Sequence, residues 1–225
     1  SRPVLTGVKL ELVGEEMTLA AADGFRLAVH TTSLVSTVDE EISFIIPSRT
    51  LRELDRLLAD QQQPLEFTVT PQRSQVMFRL ENIELVSQLV QGAFPNYKQL
   101  IPQSANTRTV VSVQDFTRAT RSASIFARDG SGIVRLQITP DEGQGKLVIS
   151  ARAEEVGDNV GEIDAKVEGE EAKIAFSSRY LTDVLGVIGK EEVALEMTTP
   201  SSPGVLRPVG DEHYVHVIMP MFVQW

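Results

Sequence analysis

The sequence predicts an α+β chain built from two repeated units. Three observations carry that prediction: many short strand-like runs punctuated by turn residues, three segments with helical spacing of apolar residues, and self-similarity at an offset of 130 residues. A few helices on many strands is the α+β pattern. With 225 residues, 42% of them hydrophobic, the chain is long enough for one large or two ordinary domains.

The first strands are "GVKLEL" (7–12), "EMTLAAA" (16–22) and "FRLAVHTT" (25–32), divided by Gly14 and by the turn dipeptide Asp23-Gly24. The spacing then predicts a helix over 47–60, with Leu51, Leu54, Leu57 and Leu58 on one stripe and Ser48 as its cap. "LEFTVT" (65–70), "QVMFRL" (75–80) and "IELVSQLV" (83–90) read as three more strands. A second helix is predicted over 112–128, where Phe116, Ala119, Ala123 and Phe126 share a face. Strands follow at "IVRLQI" (133–138), "KLVISAR" (146–152), "GEIDAKV" (161–167) and "AKIAFS" (172–177). A third helix spans 177–189, with Leu181, Val184, Leu185 and Ile188 inward and Gly189 as its stop. "EVALEMTT" (192–199) and "HYVHVIM" (213–219) complete the list.

The repeat aligns "SRTLRELDRLL" (48–58) with "SRYLTDVLGVI" (178–188), and the same offset lays "LEFTVTP" (65–71) on "LEMTTPS" (195–201). The boundary falls in "FPNYKQLIPQSANTRT" (94–109), giving expected domains at 1–97 and 108–225 with a linker over 98–107. The second copy opens with the 112–128 helix, and the first has no room for a counterpart before residue 7. The expectation is a first unit that lacks its opening helix.

The net charge is −10, from 31 Asp and Glu against 21 Lys and Arg, which argues against coating nucleic acid with the whole surface. The charges are nevertheless segregated. Arg49, Arg52 and Arg56 fall within roughly 60° of one another on the helix opposite the leucines. Arg118 and Arg121 form a shorter version, extended by Arg128. Acids gather over 154–171: Glu154, Glu155, Asp158, Glu162, Asp164, Glu168, Glu170 and Glu171. Spacing alone leaves two readings open, a solvated helix face or a surface for a polyanion's phosphates.

No catalytic signature is present. His30, His213 and His216 do not form a ligand set, because 213 and 216 point to opposite faces of a strand. There are no cysteines, so neither a disulfide scaffold nor a thiolate zinc site is available, which fits a reducing cytoplasm. "RDGSGI" (128–133) reads as a turn. No metal, no cofactor and no enzymatic activity are expected. No stretch approaches the roughly 20 apolar residues of a membrane helix, so no membrane partner is expected either. A stand-alone β-rich adaptor domain with no role on DNA is the alternative that periodicity leaves open.

Several stretches together resemble one family. "RPVLTGVKLEL", "AADGFRLAV", "FIIPSRTLRELDRLL", "SQLVQGAFPNYKQLIP", "SGIVRLQI" and "YVHVIMPM" are similar to the β sliding clamp, the processivity subunit of bacterial DNA polymerase III. The resemblance runs from residue 1 to 222 and covers a second domain without its start and a whole third domain. It implies curved antiparallel sheets backed by helices, with two three-domain subunits closing head-to-tail into a ring around duplex DNA. It implies that Arg49, Arg52, Arg56, Arg118 and Arg121 face the DNA, and that Ile125 and Phe126 belong to the homodimer interface. Without a first domain, the chain is expected not to close a ring.

The resemblance also implies a groove between the two domains for short linear peptides of the replicative polymerase catalytic subunit, the clamp loader, other polymerases and repair proteins. Carried over by position, its walls are Leu5, Gly24, Phe25, Arg26, Leu27, Pro95, Gln99, Leu100, Ser131 and Gly204. The far side is Val217, Ile218, Met219, Pro220, Met221 and Phe222. Phe25, Gln99 and Ser131 depart from frequent family choices, which leaves partner preference open. Val223, Gln224 and Trp225 run past the usual end.

Overall fold

The structure, a computed structural model, describes residues 3–127, 132–141, 144–153 and 157–225. It divides into two compact units: Ser1–Gly24 with Ala28–Tyr97, and Phe25–Leu27 with Lys98–Trp225. No helix among the described residues is long and apolar enough to cross a membrane.

Strand β1 (Gly7–Ala22) of the first unit is a neighbour of β2 (Arg26–Pro47), which belongs to that unit from Ala28 onward. Both exceed the sequence expectation. Gly14 does not end a strand: it takes φ +60° within β1, a conformation glycine adopts without steric penalty, so the chain kinks and continues. β2 runs directly into α1 (Ser48–Leu57), followed by a 3-10 turn over Leu58–Asp60. The cap expected at Ser48 lies one residue earlier. Pro47 holds that position at φ −55° and ψ 134°, with no side-chain bond, and Ser48 becomes the first helical residue. Leu54 is buried and Leu51, Leu57 and Leu58 are partly so, as the stripe required.

Strands β3 (Glu66–Val69), β4 (Gln75–Arg79) and β5 (Glu84–Gln88) make an antiparallel sheet of three. Period-2 alternation sends Val76 and Phe78 inward, where they join Leu10, Leu12, Phe44, Ile46 and Leu54 in one core. Phe78 lies across from Phe67, with ring centroids 6.0 Å apart, and Phe67 reaches Phe44 at 6.3 Å.

The second unit contains β6 (Thr107–Ser112), α2 (Val113–Ala127), β7 (Ile133–Asp141), β8 (Gln144–Ala153), β9 (Gly157–Gly169) and β10 (Ala172–Ser177). It continues with α3 (Ser178–Leu185), β11 (Glu192–Met197), β12 (Gly204–Pro208) and β13 (Tyr214–Ile218). Its strands lie in the order β13-β12-β11-β6-β9-β8-β7-β10. Phe116 and Ala123 of α2 are fully buried against β7, β8 and α3 residues such as Leu136, Leu147 and Leu181. Small residues set how close that helix lies: a Cβ at Gly161 of β9 would stand 3.4 Å from the Ala119 methyl.

α3 stops before the expected Gly189. Gly186 is its cap, in a right-handed conformation at φ −71°, and the loop beyond it buries Ile188 before Gly189 turns at φ +63°.

Candidate functional site

Within the second unit, three separate pieces of chain converge. The loop and strand start Phe25–Leu27 lie beside the end of β13, where the Met219 N–H donates to the Phe25 carbonyl at 2.8 Å. α3 supplies Tyr180 and Asp183, spaced i, i+3 and therefore on one face of the helix. Phe25 stacks on Tyr180, with centroids 6.2 Å apart and planes at 27°. The Arg26 guanidinium sits 4.4 Å from the same ring centroid and pairs with Asp183 through Nη1–Oδ2 at 2.6 Å. One arginine thus makes a cation–π contact and a charge-assisted hydrogen bond, which fixes its planar head.

The site keeps apolar atoms in contact with solvent. Phe25 is 54% exposed, Met219 43% and Phe222 89%, while Pro220 and Met221 are half-buried. Isolated exposed apolar residues are ordinary, but a set carried on a backbone tied to a stacked aromatic and arginine is a surface fitted to an apolar ligand. Thioether side chains suit varied partners because they are flexible and polarizable.

Behind this surface, burial pushes the Tyr214 phenol up to about 12 from the ordinary 10.0, against a smaller opposing pull from Arg26. Its hydroxyl meets His216 Nδ1 at 2.9 Å. The folded phenol therefore resists ionising. Its contribution is fully present below pH 10, the unfolded value, and is lost as pH rises through about 12. Urea unfolding between pH 9 and 12 should show stability falling in that window. Tyr214→Phe should shrink the fall by on the order of 1–2 kcal/mol; equal slopes for both proteins would refute the assignment.

The expected groove residues fall into distinct classes. Phe25, Arg26, Met219, Pro220, Met221 and Phe222 are accessible or half-buried in one neighbourhood. Leu27, Val217 and Ile218 offer no surface, being 3%, 4% and 0% exposed. They were expected to line a wall; β13 is instead buried continuously from Val215 to Ile218, on both faces of the strand, and Leu27 is buried as well, so these side chains serve packing. Gly204 is also interior, since a Cβ there would lie 2.4 Å from Phe176 Cζ, so this glycine serves the packing of β12. Gln99 and Leu100 are exposed in the 3-10 turn Tyr97–Leu100. Leu5, Gly24 and Pro95 belong to the first unit. Ser131 lies outside the described residues, as do Arg128, Glu154 and Glu155. Sequence reasoning missed Tyr180 and Asp183. Their signal was an aromatic and a carboxylate three apart on α3, off its Leu181–Val184–Leu185 core stripe.

The basic stripes are in place on their own helices. Arg49, Arg52 and Arg56 are exposed on α1, and Arg118 and Arg121 on α2. Two carry a carboxylate one turn back: Arg56 bonds Glu53, and Arg118 Nη2 meets Asp115 Oδ1 at 2.7 Å. Exposed pairs of this kind are screened by solvent and weak, so the arginines stay available to other anions. Ile125 is 59% exposed near the end of α2, and Phe126 is half-buried. The acidic strands are laced by cross-strand pairs, Lys146 to Glu162 and Lys166 to Glu192. No three His, Asp or Glu side chains among the described residues gather as a metal site.

Comparison with known proteins gives consistent results. The profile described as DNA polymerase III beta subunit, central domain, matches residues 1–96, and the one described as DNA polymerase III beta subunit, C-terminal domain, matches 98–222. The beta sliding clamp of Bacillus subtilis is 34% identical over 223 residues, 98% of this chain and 58% of the relative. The Staphylococcus aureus beta sliding clamp is 32% identical over 222 residues, 98% and 57% of the two chains. The solved DNA polymerase sliding clamp of Bacillus subtilis superposes with a TM-score of 0.93 at 33% identity, covering 100% of this chain and 58% of that one. The DNA polymerase III beta chain of Streptococcus pneumoniae gives 0.91 at 30%, covering 99% and 58%. The chain spans less than three fifths of the length of these relatives. With both profiles matched along nearly its whole length, the chain belongs to the DNA polymerase III beta subunit family.

Proposed function

We propose that this chain is the docking portion of a bacterial DNA sliding clamp, a non-catalytic processivity factor. In the complete protein two subunits encircle duplex DNA, with Ile125 and Phe126 at the subunit interface. Arg49, Arg52, Arg56, Arg118 and Arg121 make loose contacts to phosphates, which need no base readout. Replicative polymerase, clamp loader and repair proteins attach through short peptides at the surface formed by Phe25, Arg26, Met219, Pro220, Met221 and Phe222, with Tyr180 and Asp183 holding the arginine. Gln99 and Leu100 extend that surface. The domains are 1–97 and 108–225, joined by 98–107.

The observation that carries this reading is the Phe25–Tyr180–Arg26–Asp183 assembly beside the exposed residue Met219, in a chain of this family. A ligand with apolar anchors gains by removing those atoms from water, at roughly 25 cal/mol per Å² before the entropy lost on binding. The test is fluorescence anisotropy with a labelled peptide carrying glutamine followed by spaced leucines and phenylalanine. Met219→Ala combined with Met221→Ala should weaken binding about tenfold. Unchanged affinity would remove these residues from the docking surface.

A further inference from the structure

The chain beyond β13 has neither helix nor strand, yet it is held at successive points. The Met219 N–H donates to Phe25, as described, and the Met221 N–H donates to the Ala175 carbonyl of β10 at 2.8 Å. Further on, Arg135 Nη2 donates to the Gln224 carbonyl at 3.4 Å, and the Lys173 ammonium lies 5.8 Å from the Trp225 ring centroid. These anchors converge on one patch of sheet. In the β10–β7 register Arg135 is directly across from Ala175, and Lys173 is two residues along β10 from it. Phe222 is suspended between the Met221 and Gln224 anchors and is 89% exposed. The last two anchors involve residues beyond 222, where the family match ends.

We infer that residues 221–225 form a strap, pinned by Arg135 and Lys173, which holds Met219, Met221 and Phe222 in the geometry a docked peptide needs. Arg135 and Lys173 are positioning residues: they act through the strap. The inference rests on the docking reading above. With both ends of the segment held, its side chains lose less freedom when a partner binds, and affinity rises without any new contact. Loss of the Lys173–Trp225 contact removes one of these pins and leaves the Met221 N–H and the Arg135–Gln224 bond to hold the segment.

The experiment uses the full chain and the labelled peptide, with the loss variants Arg135→Gln, Lys173→Gln and Trp225→Ala and the Lys173→Gln, Trp225→Ala double variant. Lys173→Arg and Trp225→Phe are the conservative controls. Hydrogen exchange at the Met221 amide reports the strap without any ligand. Trp225 is the sole tryptophan, so its emission reports its own environment in every variant that keeps it. The expected result is faster Met221 exchange and peptide binding weaker by about two- to fivefold in each loss variant. The double variant should be no worse than the singles, and the conservative controls should match the parent. Unchanged Met221 exchange in all the loss variants, Arg135→Gln included, would overturn the strap. Faster exchange with unchanged affinity would overturn its positioning role, and tighter binding would show instead that the tail competes with the ligand. A parent chain that binds no peptide would defeat the docking reading itself, a result separate from the exchange data.

Discussion

Tyr180→Ala should abolish most peptide docking, weakening affinity about thirtyfold or more, equivalent to about 2 kcal/mol. The ring is the shared platform of the site: Phe25 stacks on one part of it, and the Arg26 guanidinium rests 4.4 Å from its centroid. Removing it leaves Arg26 with the Asp183 contact alone and lets Phe25 turn. Two of the surface's fixed groups then become mobile, and each must be ordered again on binding. Tyr180→Phe keeps the ring and should bind within about twofold of the parent, which separates the platform from the hydroxyl. Isothermal titration with the same peptide reads both variants. A Tyr180→Ala protein that folds and binds as the parent does would show that the peptide sits elsewhere.

Gly169→Ala should be the most destabilising small substitution in the second unit. Gly169 ends β9 opposite Thr107 of β6 and takes φ +102°, in the left-handed region that side chains rarely enter. A Cβ there would stand 1.9 Å from the Asn106 carbonyl oxygen and 3.1 Å from Thr107 Cα, both backbone atoms at the entry to β6. Strain and collision together should cost about 3 kcal/mol or more, a fall in Tm of about 6–12 °C. Gly210→Ala is the matched control, since Gly210 has φ +77° but nothing within 4 Å of its Cβ position. It should lose about 1 kcal/mol from the backbone term alone. Equal losses at the two positions in thermal unfolding would refute the collision argument.

The fold class was legible because hydrophobic periodicity reports burial, and burial is what sorts helices from strands. Phe116, Ala119 and Ala123 of α2, and Leu181 and Val184 of α3, are buried as their spacing required. β6 and β12 were not read as strands. β6 begins in the stretch taken for a linker, and β12 is bracketed by Gly204 and Pro208, which look like turn residues and are instead strand ends. The length of β2 was hidden by the mostly polar run from Ser36 to Glu41, where Val38 alone is apolar and no alternation shows.

The site was legible where short motifs carry it, at Phe25, Arg26 and the Met219–Phe222 run. It was illegible where two distant parts of the chain meet. Arg26 and Asp183 are 157 residues apart, and no local pattern links them. The apolar pattern at Leu27, Val217 and Ile218 was the reverse case: residues read as surface for a partner are buried in the interior.

The carboxylates of Glu53 and Asp115 give Arg56 and Arg118 a further property on the proposed reading. Each arginine brings its own tethered counterion, so meeting a phosphate is an exchange of one anion for another rather than the rescue of a bare charge. Such an exchange gains less than filling a bare charge would. A duplex passing these helices would find no phosphate position much deeper than the next. That is the energy profile of a bearing: contact without a resting place.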